Sequence, residues 1–108
     1  MTKKVFISLP MRNRTLDEIR ADMNDIFKTI KSARFDDNED VEMINTLWLD
    51  EPTDDIMNDS IWYLGRSIKA LAEANVAVFH SRWRESWGCI IEHMVCAMYN
   101  IPYYDISY

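Results

Sequence analysis

The stretch RWRESWGCIIEHMVCAMYN, Arg82 to Asn100, carries the residues with the clearest chemical potential. Glu92 sits in an otherwise apolar helical run, four positions after Gly88 and downstream of Trp83 and Trp87. A carboxylate in such a run either faces water or is held there for chemistry. Near a helix N-terminus the backbone dipole favours an anion. Gly88, with no side chain, lets a ligand approach the backbone closely. The simpler use of Glu92 is as a surface residue that charges the start of a helix.

A second group lies earlier in the chain. Ser8, Leu9, Met11, Arg12, Asn13 and Arg14 separate a strand-like run from a helix start at Thr15. Backbone N–H groups at that start, with two guanidinium forks, make a place for a phosphate or carboxylate. Two exposed arginines that offset an acidic protein would look the same. The segment SLPMRNRT lacks the glycines and lysine of a P-loop.

These loops need elements to hold them. KVFIS (Lys4 to Ser8) reads as a buried strand closed by Pro10. TLDE matches a capping box, with Thr15 as N-cap and Glu18 reaching back. Leu16, Ile19, Met23, Ile26, Phe27 and Ile30 then follow at helical spacing. Val41 to Thr46 is a second strand. Met57, Ile61, Leu64, Ile68 and Leu71 form one stripe on a helix of about Asp55 to Ala74. Val76 to His80 is a third strand, Ile90 to Asn100 a third helix, and YYDIS a last strand.

At about 100° per residue, the third helix presents Ile90, Ile91, Met94, Val95 and Met98 to the sheet, with Glu92, Cys96 and Tyr99 on the other side. Strand–helix alternation of this kind gives parallel strands joined by right-handed crossovers. The expected fold is a small open α/β sandwich of four to five strands, flavodoxin- or Rossmann-like, formed by residues 1–108 as one domain. Ligands of such sheets bind beyond the carboxyl ends of the strands, where the loops after the first and third strands lie.

Composition narrows the classes. The net charge of −6 argues against a nucleic-acid polymer as partner. No apolar run reaches the ~20 residues that span a bilayer. Cys89 and Cys96 lie seven apart on one helix, which puts them roughly 10 Å apart, too far for a disulfide. Free thiols without an export signal point to the cytoplasm. Two Cys and two His at unrelated spacings do not form a zinc pattern. Seven Met and four Trp in 108 residues fill a core, line a pocket or cover an interface.

KVFISLPMRNRT, YLGRSIKALAEANVAVF, WRESWGCIIEH and YNIPYYDI together resemble the nucleoside 2-deoxyribosyltransferase superfamily, in its short phage and bacterial branch. The likeness runs from Lys4 to Ile106, and its most specific part is the pair Gly88 and Glu92. It implies that Glu92 is a nucleophile toward C1′ of a nucleoside or nucleotide, with no metal or organic cofactor. Family transferases carry aspartates at the positions of Ser67 and Ser86. A serine before the glycine is instead similar to the 2′-deoxynucleoside 5′-phosphate N-hydrolases, where it contacts the 5′-phosphate. Arg12 or Arg14 would join it, and Trp83 and Trp87 would stack on a base or fill core and interface. Cys96 and Tyr99 on the third helix, and Trp62 and Tyr63 on the second, leave neither outer face fully polar, which predicts a homodimer or higher homo-oligomer; the resemblance implies the same, with Tyr103, Tyr104 or Tyr108 reaching a partner's pocket.

The remaining polar residues read more plainly. Asp54, Asp55 and Asp59 charge and cap the start of the second helix. His80 lines the pocket or merely ends its strand, and His93 is a surface or interface residue. Two function classes stay open. One is an N-glycosidase or deoxyribosyltransferase acting on nucleosides or nucleoside monophosphates. The other is a binding protein that keeps the pocket, lacks turnover and sequesters a nucleotide or nucleotide-derived signal.

Overall fold

The computed structural model describes residues 2–47 and 51–106. Its elements run β1 (Lys3–Ser8), α1 (Leu16–Arg34), β2 (Val41–Met43), α2 (Asp59–Leu71), β3 (Val76–Phe79), α3 (Trp87–Met98) and β4 (Tyr103–Asp105). A short 3₁₀ turn, Trp83–Glu85, precedes α3. The four strands form one parallel sheet in the order β2-β1-β3-β4. This is the α/β architecture expected from the alternation.

The strand order explains where the helices go. The chain steps one way from β1 to β2, then the opposite way to β3 and on to β4. Right-handed crossovers then place α1 on one face and α2 and α3 on the other. The two cores agree. Val5, Ile7, Val76 and Val78 pack with Ile19, Met23, Ile26 and Ile30 of α1. Phe6, Ala77 and Phe79 pack with Ala70, Leu71, Cys89 and Cys96 of α2 and α3. Alternate residues of each strand thus serve opposite faces, and Ser8 points to the α2/α3 side with Phe6. The reversal of order falls between β1 and β3, paired from Val5↔Val76 to Ser8↔Phe79.

Local chemistry sets the helix ends. At α1 the Thr15 hydroxyl accepts from the Glu18 N–H, and the Glu18 carboxylate accepts from the Thr15 N–H, which completes the expected capping box. Several other ends fall inside the sequence estimates. β2 stops at Met43 rather than Thr46, and β3 at Phe79 rather than His80. α2 begins only after Asn58, whose side chain accepts from the Ile61 N–H. Asp54 and Asp55 therefore precede the helix, and only Asp59 charges its first turn. Met57 also lies outside α2 and is 97 % exposed, so the predicted stripe runs from exposed Met57 and Ile61 to buried Leu71.

α3 overturns a larger expectation. Ser86 is its N-cap and accepts from the Cys89 N–H, so the helix starts at Trp87, three residues early. Asn100 closes it in the left-handed region (φ 59°), with the Ile101 N–H donating to the Cys96 carbonyl, and Pro102 follows. Between these ends the helix turns Cys89, Glu92 and Cys96 inward. Ile91, Met94 and Met98 face out, while Ile90 and Val95 sit half-buried at the flanks. The apolar stripe read as the sheet-packing face is thus the outer face. Two of these three inner residues are small cysteines, both free and buried, so α3 can lie close against the aromatic side of β3.

Candidate functional site

The fold puts Ser8 at the carboxyl end of β1 and Glu92 in the second turn of α3, and it joins them. The Ser8 hydroxyl donates to Glu92 Oε1 at 2.7 Å, inside the protein. Both residues are buried. The link spans 84 positions and ties the central strand to the helix after β3, at the reversal of strand order. In open α/β sheets that crevice is where ligands bind.

A cavity of about 480 Å³ opens there. One wall is the end of β1 and its loop: Ser8, Leu9, Met11 and Arg12. A second is the start of α3: Ser86, Gly88, Cys89 and Glu92. A third is α2, through Ser60, Tyr63, Leu64 and Ser67, with Thr46 from the segment after β2. Glu92 is the one carboxylate among these lining residues.

The electrostatics of Glu92 differ from the expectation of a carboxylate kept ionised by a helix start. Burial raises its pKa to about 7, against the lowering effect of hydrogen bonds from Ser8 and Ser67. Desolvation therefore outweighs two hydroxyl donors. Such a group is poised to exist in both protonation states near neutrality, as catalytic acids, bases and nucleophiles often are. The neighbouring thiols are held protonated. Burial, and then the nearby Glu92 charge, raise Cys96 to about 11, and burial also raises Cys89.

Gly88 sits at the second position of α3 and lines the cavity. A β-carbon added there would meet nothing nearer than Ser86 Oγ at 3.9 Å and Leu64 Cδ1 at 4.0 Å. The fold itself therefore does not need glycine here. The open space it leaves belongs to the cavity.

Seven of the residues singled out in the sequence line this cavity: Ser8, Leu9, Met11, Arg12, Ser86, Gly88 and Glu92. Three do not. Arg14 turns back, donating to the Pro10 carbonyl and to Asp22, and lines a neighbouring cavity instead. Trp83 is buried beneath α3 and stacks on the His93 ring at 3.9 Å. Trp87 is 86 % exposed on the outer face of α3. Neither indole lies among the lining residues, so base stacking by them has no support in this geometry. His93 is not a surface residue either, because Phe79, Trp83 and Tyr103 enclose its ring and Nε2 meets Asp105 at 3.1 Å. Tyr103 and Tyr104 pack on their own chain, against His93 and Arg34 respectively. Tyr108 lies outside the described residues.

Beyond Ser67, which the resemblance singles out, the α2 wall and Thr46 carried no signal in the sequence. Ser60, Tyr63, Leu64 and Ser67 step by three, one and three along α2. That spacing is a helical face, but its polar members did not distinguish it from a solvated one. Among the described residues no group of His, Cys, Asp and Glu could hold a metal ion, and no helix is long and apolar enough to cross a membrane.

Glu92 makes a prediction about stability. Its folded pKa lies above the ordinary value, so the folded protein holds a proton the unfolded chain releases between about pH 4.5 and 7. Its contribution is most favourable below that window, is lost as pH rises through about 7, and amounts to about 3 kcal/mol. Urea unfolding at pH 5 and pH 8 should show this loss in the wild type relative to Glu92→Gln. An identical pH dependence in the two proteins would show that Glu92 titrates normally.

Comparison with known proteins gives no match: no family model fits the chain, and no curated protein or solved structure is similar to it.

Proposed function

We propose that the protein cleaves or transfers the N-glycosidic bond of a nucleoside or nucleoside 5′-monophosphate, with Glu92 as nucleophile. The observation that carries this reading is the buried Glu92 carboxylate. It lies at the strand-order reversal, is held by Ser8 and Ser67, and faces a cavity with Arg12 at its rim. The resemblance through Gly88 and Glu92 supports the same role.

The chemistry follows from the geometry. One Glu92 oxygen is fixed by Ser8, which orients the carboxylate toward the cavity. The ionised carboxylate attacks C1′ as the bond to the base breaks. The base leaves with the bonding electron pair and takes a proton from water. The glycosyl ester is then released to water (hydrolase) or to a second base (transferase). A carboxylate also stabilises the oxocarbenium character of both transition states. Among the described residues the lining carries no second carboxylate, and serines stand at positions 67 and 86. That favours water as acceptor. Ser86 already caps α3, and its remaining capacity, with Arg12, suits a 5′-phosphate at the helix N-terminus.

The second reading, a binding protein without turnover, draws on the same single-carboxylate lining. Incubation with a panel of deoxynucleoside 5′-monophosphates separates the two. Release of free base supports the enzyme, whereas tight binding with no free base supports the binder.

The outer faces of α2 and α3 support a homodimer. Trp87, Ile91, Met94 and Met98 form one apolar stripe at helical spacing, and Ile61 and Tyr63 of α2 are exposed as well. Two-fold pairing would cover this surface with the same patch on both copies. Light scattering at micromolar concentration should give the mass of two chains or more, and Met94→Lys should lower it. A one-chain mass at every concentration would exclude the pairing.

Two further outcomes test the site. Glu92→Gln should fold and lose at least about 10³-fold in base release. Wild-type activity should rise with pH to a plateau above about 7, as the carboxylate ionises. Unchanged activity in the variant would remove Glu92 from the mechanism. Gly88→Ala should leave stability equal or raise it by up to about 1 kcal/mol, the helix preference for alanine, while weakening nucleotide binding several-fold. Retained binding would show that the ligand does not approach that wall.

A further inference from the structure

A second cavity, of about 340 Å³, is formed beside the β1 loop. Arg12, Arg14, Arg82 and His80 line it, with Asp22 and Glu85 as the acids. Arg12 lines both cavities. In a chain of net charge −6, three arginines converge on one concavity.

The acids do not cancel this set. Asp22 receives Arg14 Nη2 at 3.0 Å and His80 Nε2 at 3.2 Å. His80 Nδ1 accepts from the Arg82 N–H at 3.0 Å, which leaves Nε2 as the nitrogen that donates to Asp22. Glu85 receives Arg82 through Nε and Nη2, both at 2.8 Å. Each carboxylate fixes a guanidinium in place, and each guanidinium has five N–H donors, so donors remain. Arg12 makes no ion pair among the described residues, and it is exposed. His80 aside, the lining carries three positive and two negative charges. A phosphate group meets one unpaired guanidinium flanked by two preorganised ones, the arrangement that suits charge-assisted, forked recognition.

We propose that this second cavity is a phosphate-binding site, and that it takes the distal phosphate of a nucleoside 5′-diphosphate whose sugar and base occupy the first cavity. The second half of this statement rests on the nucleotide reading of the Glu92 site, and the first half does not. Arg12, shared by the two cavities, lies where the phosphate chain crosses. The ligand class is therefore a nucleotide with a phosphoanhydride.

Calorimetry with two probes tests each half. Inorganic pyrophosphate alone should bind the wild-type protein. Arg82→Gln, at an exposed position outside the first cavity, should weaken that binding by roughly tenfold. Glu85→Gln, which frees the Arg82 fork and removes a repelling charge, should strengthen it. A deoxynucleoside 5′-diphosphate should bind roughly tenfold tighter than the matching monophosphate, and Arg82→Gln should abolish that difference without changing monophosphate affinity. Pyrophosphate binding that is absent, or indifferent to both substitutions, overturns the site. Equal affinity for mono- and diphosphate overturns its link to the first cavity. If pyrophosphate binds through Arg82 and neither nucleotide binds at all, the nucleotide reading of the Glu92 cavity fails while the phosphate site stands.

Discussion

The hydrogen bond between Ser8 and Glu92 is the constraint on which the site depends. Burying a carboxylate is costly unless polar partners hold it, and here Ser8 supplies one at 2.7 Å. Burial still raises the acid to about 7 despite the bonds from Ser8 and Ser67. The protein therefore keeps at its centre a group that costs stability at neutral pH. A hydrophobic residue would cost less on the inner face of α3, beside Cys89 and Cys96. Groups that oppose the fold in this way are commonly those that chemistry requires.

The rest of the architecture positions that pair. The β2-β1-β3-β4 order leaves a crevice between β1 and β3, and the two loops that follow these strands both end in capped helices. Thr15 fixes the start of α1 and Ser86 the start of α3. Fixing the start of α3 also fixes its rotation, because Glu92 follows the cap by six residues. Gly88 then lies one position inside the helix, with open space where a side chain would be. A glycine at a helical position costs about 1 kcal/mol relative to alanine, so stability and an open cavity conflict at this residue.

Much of this was legible in the sequence, and the failures have one physical origin. Strand–helix alternation gave the parallel sheet, the TLDE segment gave the cap of α1, and the loops after the first and third strands gave five cavity residues, with Ser8 and Glu92 in the elements beside them. The rotation of α3 was not legible. Its apolar stripe is stronger on the outside, with Trp87, Ile91, Met94 and Met98, than on the inside, with Cys89, Glu92 and Cys96. Hydrophobic periodicity identifies a face to be covered, not what covers it. For Trp83 and Trp87 the sequence left base stacking and core or interface packing open, for a related reason. An indole in a loop has no periodicity, and here one stacks inside on His93 while the other points to solvent. Ser60 and Thr46 were missed because hydroxyls on a wall look like hydroxyls in water. Ser67 stands out only through the resemblance, as a position where an aspartate would otherwise stand.

The most direct test of the central claim is to trap the glycosyl–enzyme. A nucleoside 5′-monophosphate with fluorine at C2′ and an electron-poor base traps such an ester: fluorine destabilises positive charge at C1′ and slows both steps, while the better leaving group keeps formation faster than breakdown. Intact mass measured after incubation should rise by one sugar phosphate per chain, and fragmentation should place the addition on Glu92. Base release by the wild-type protein with the addition on another residue, or with Glu92 unmodified throughout, would contradict the account.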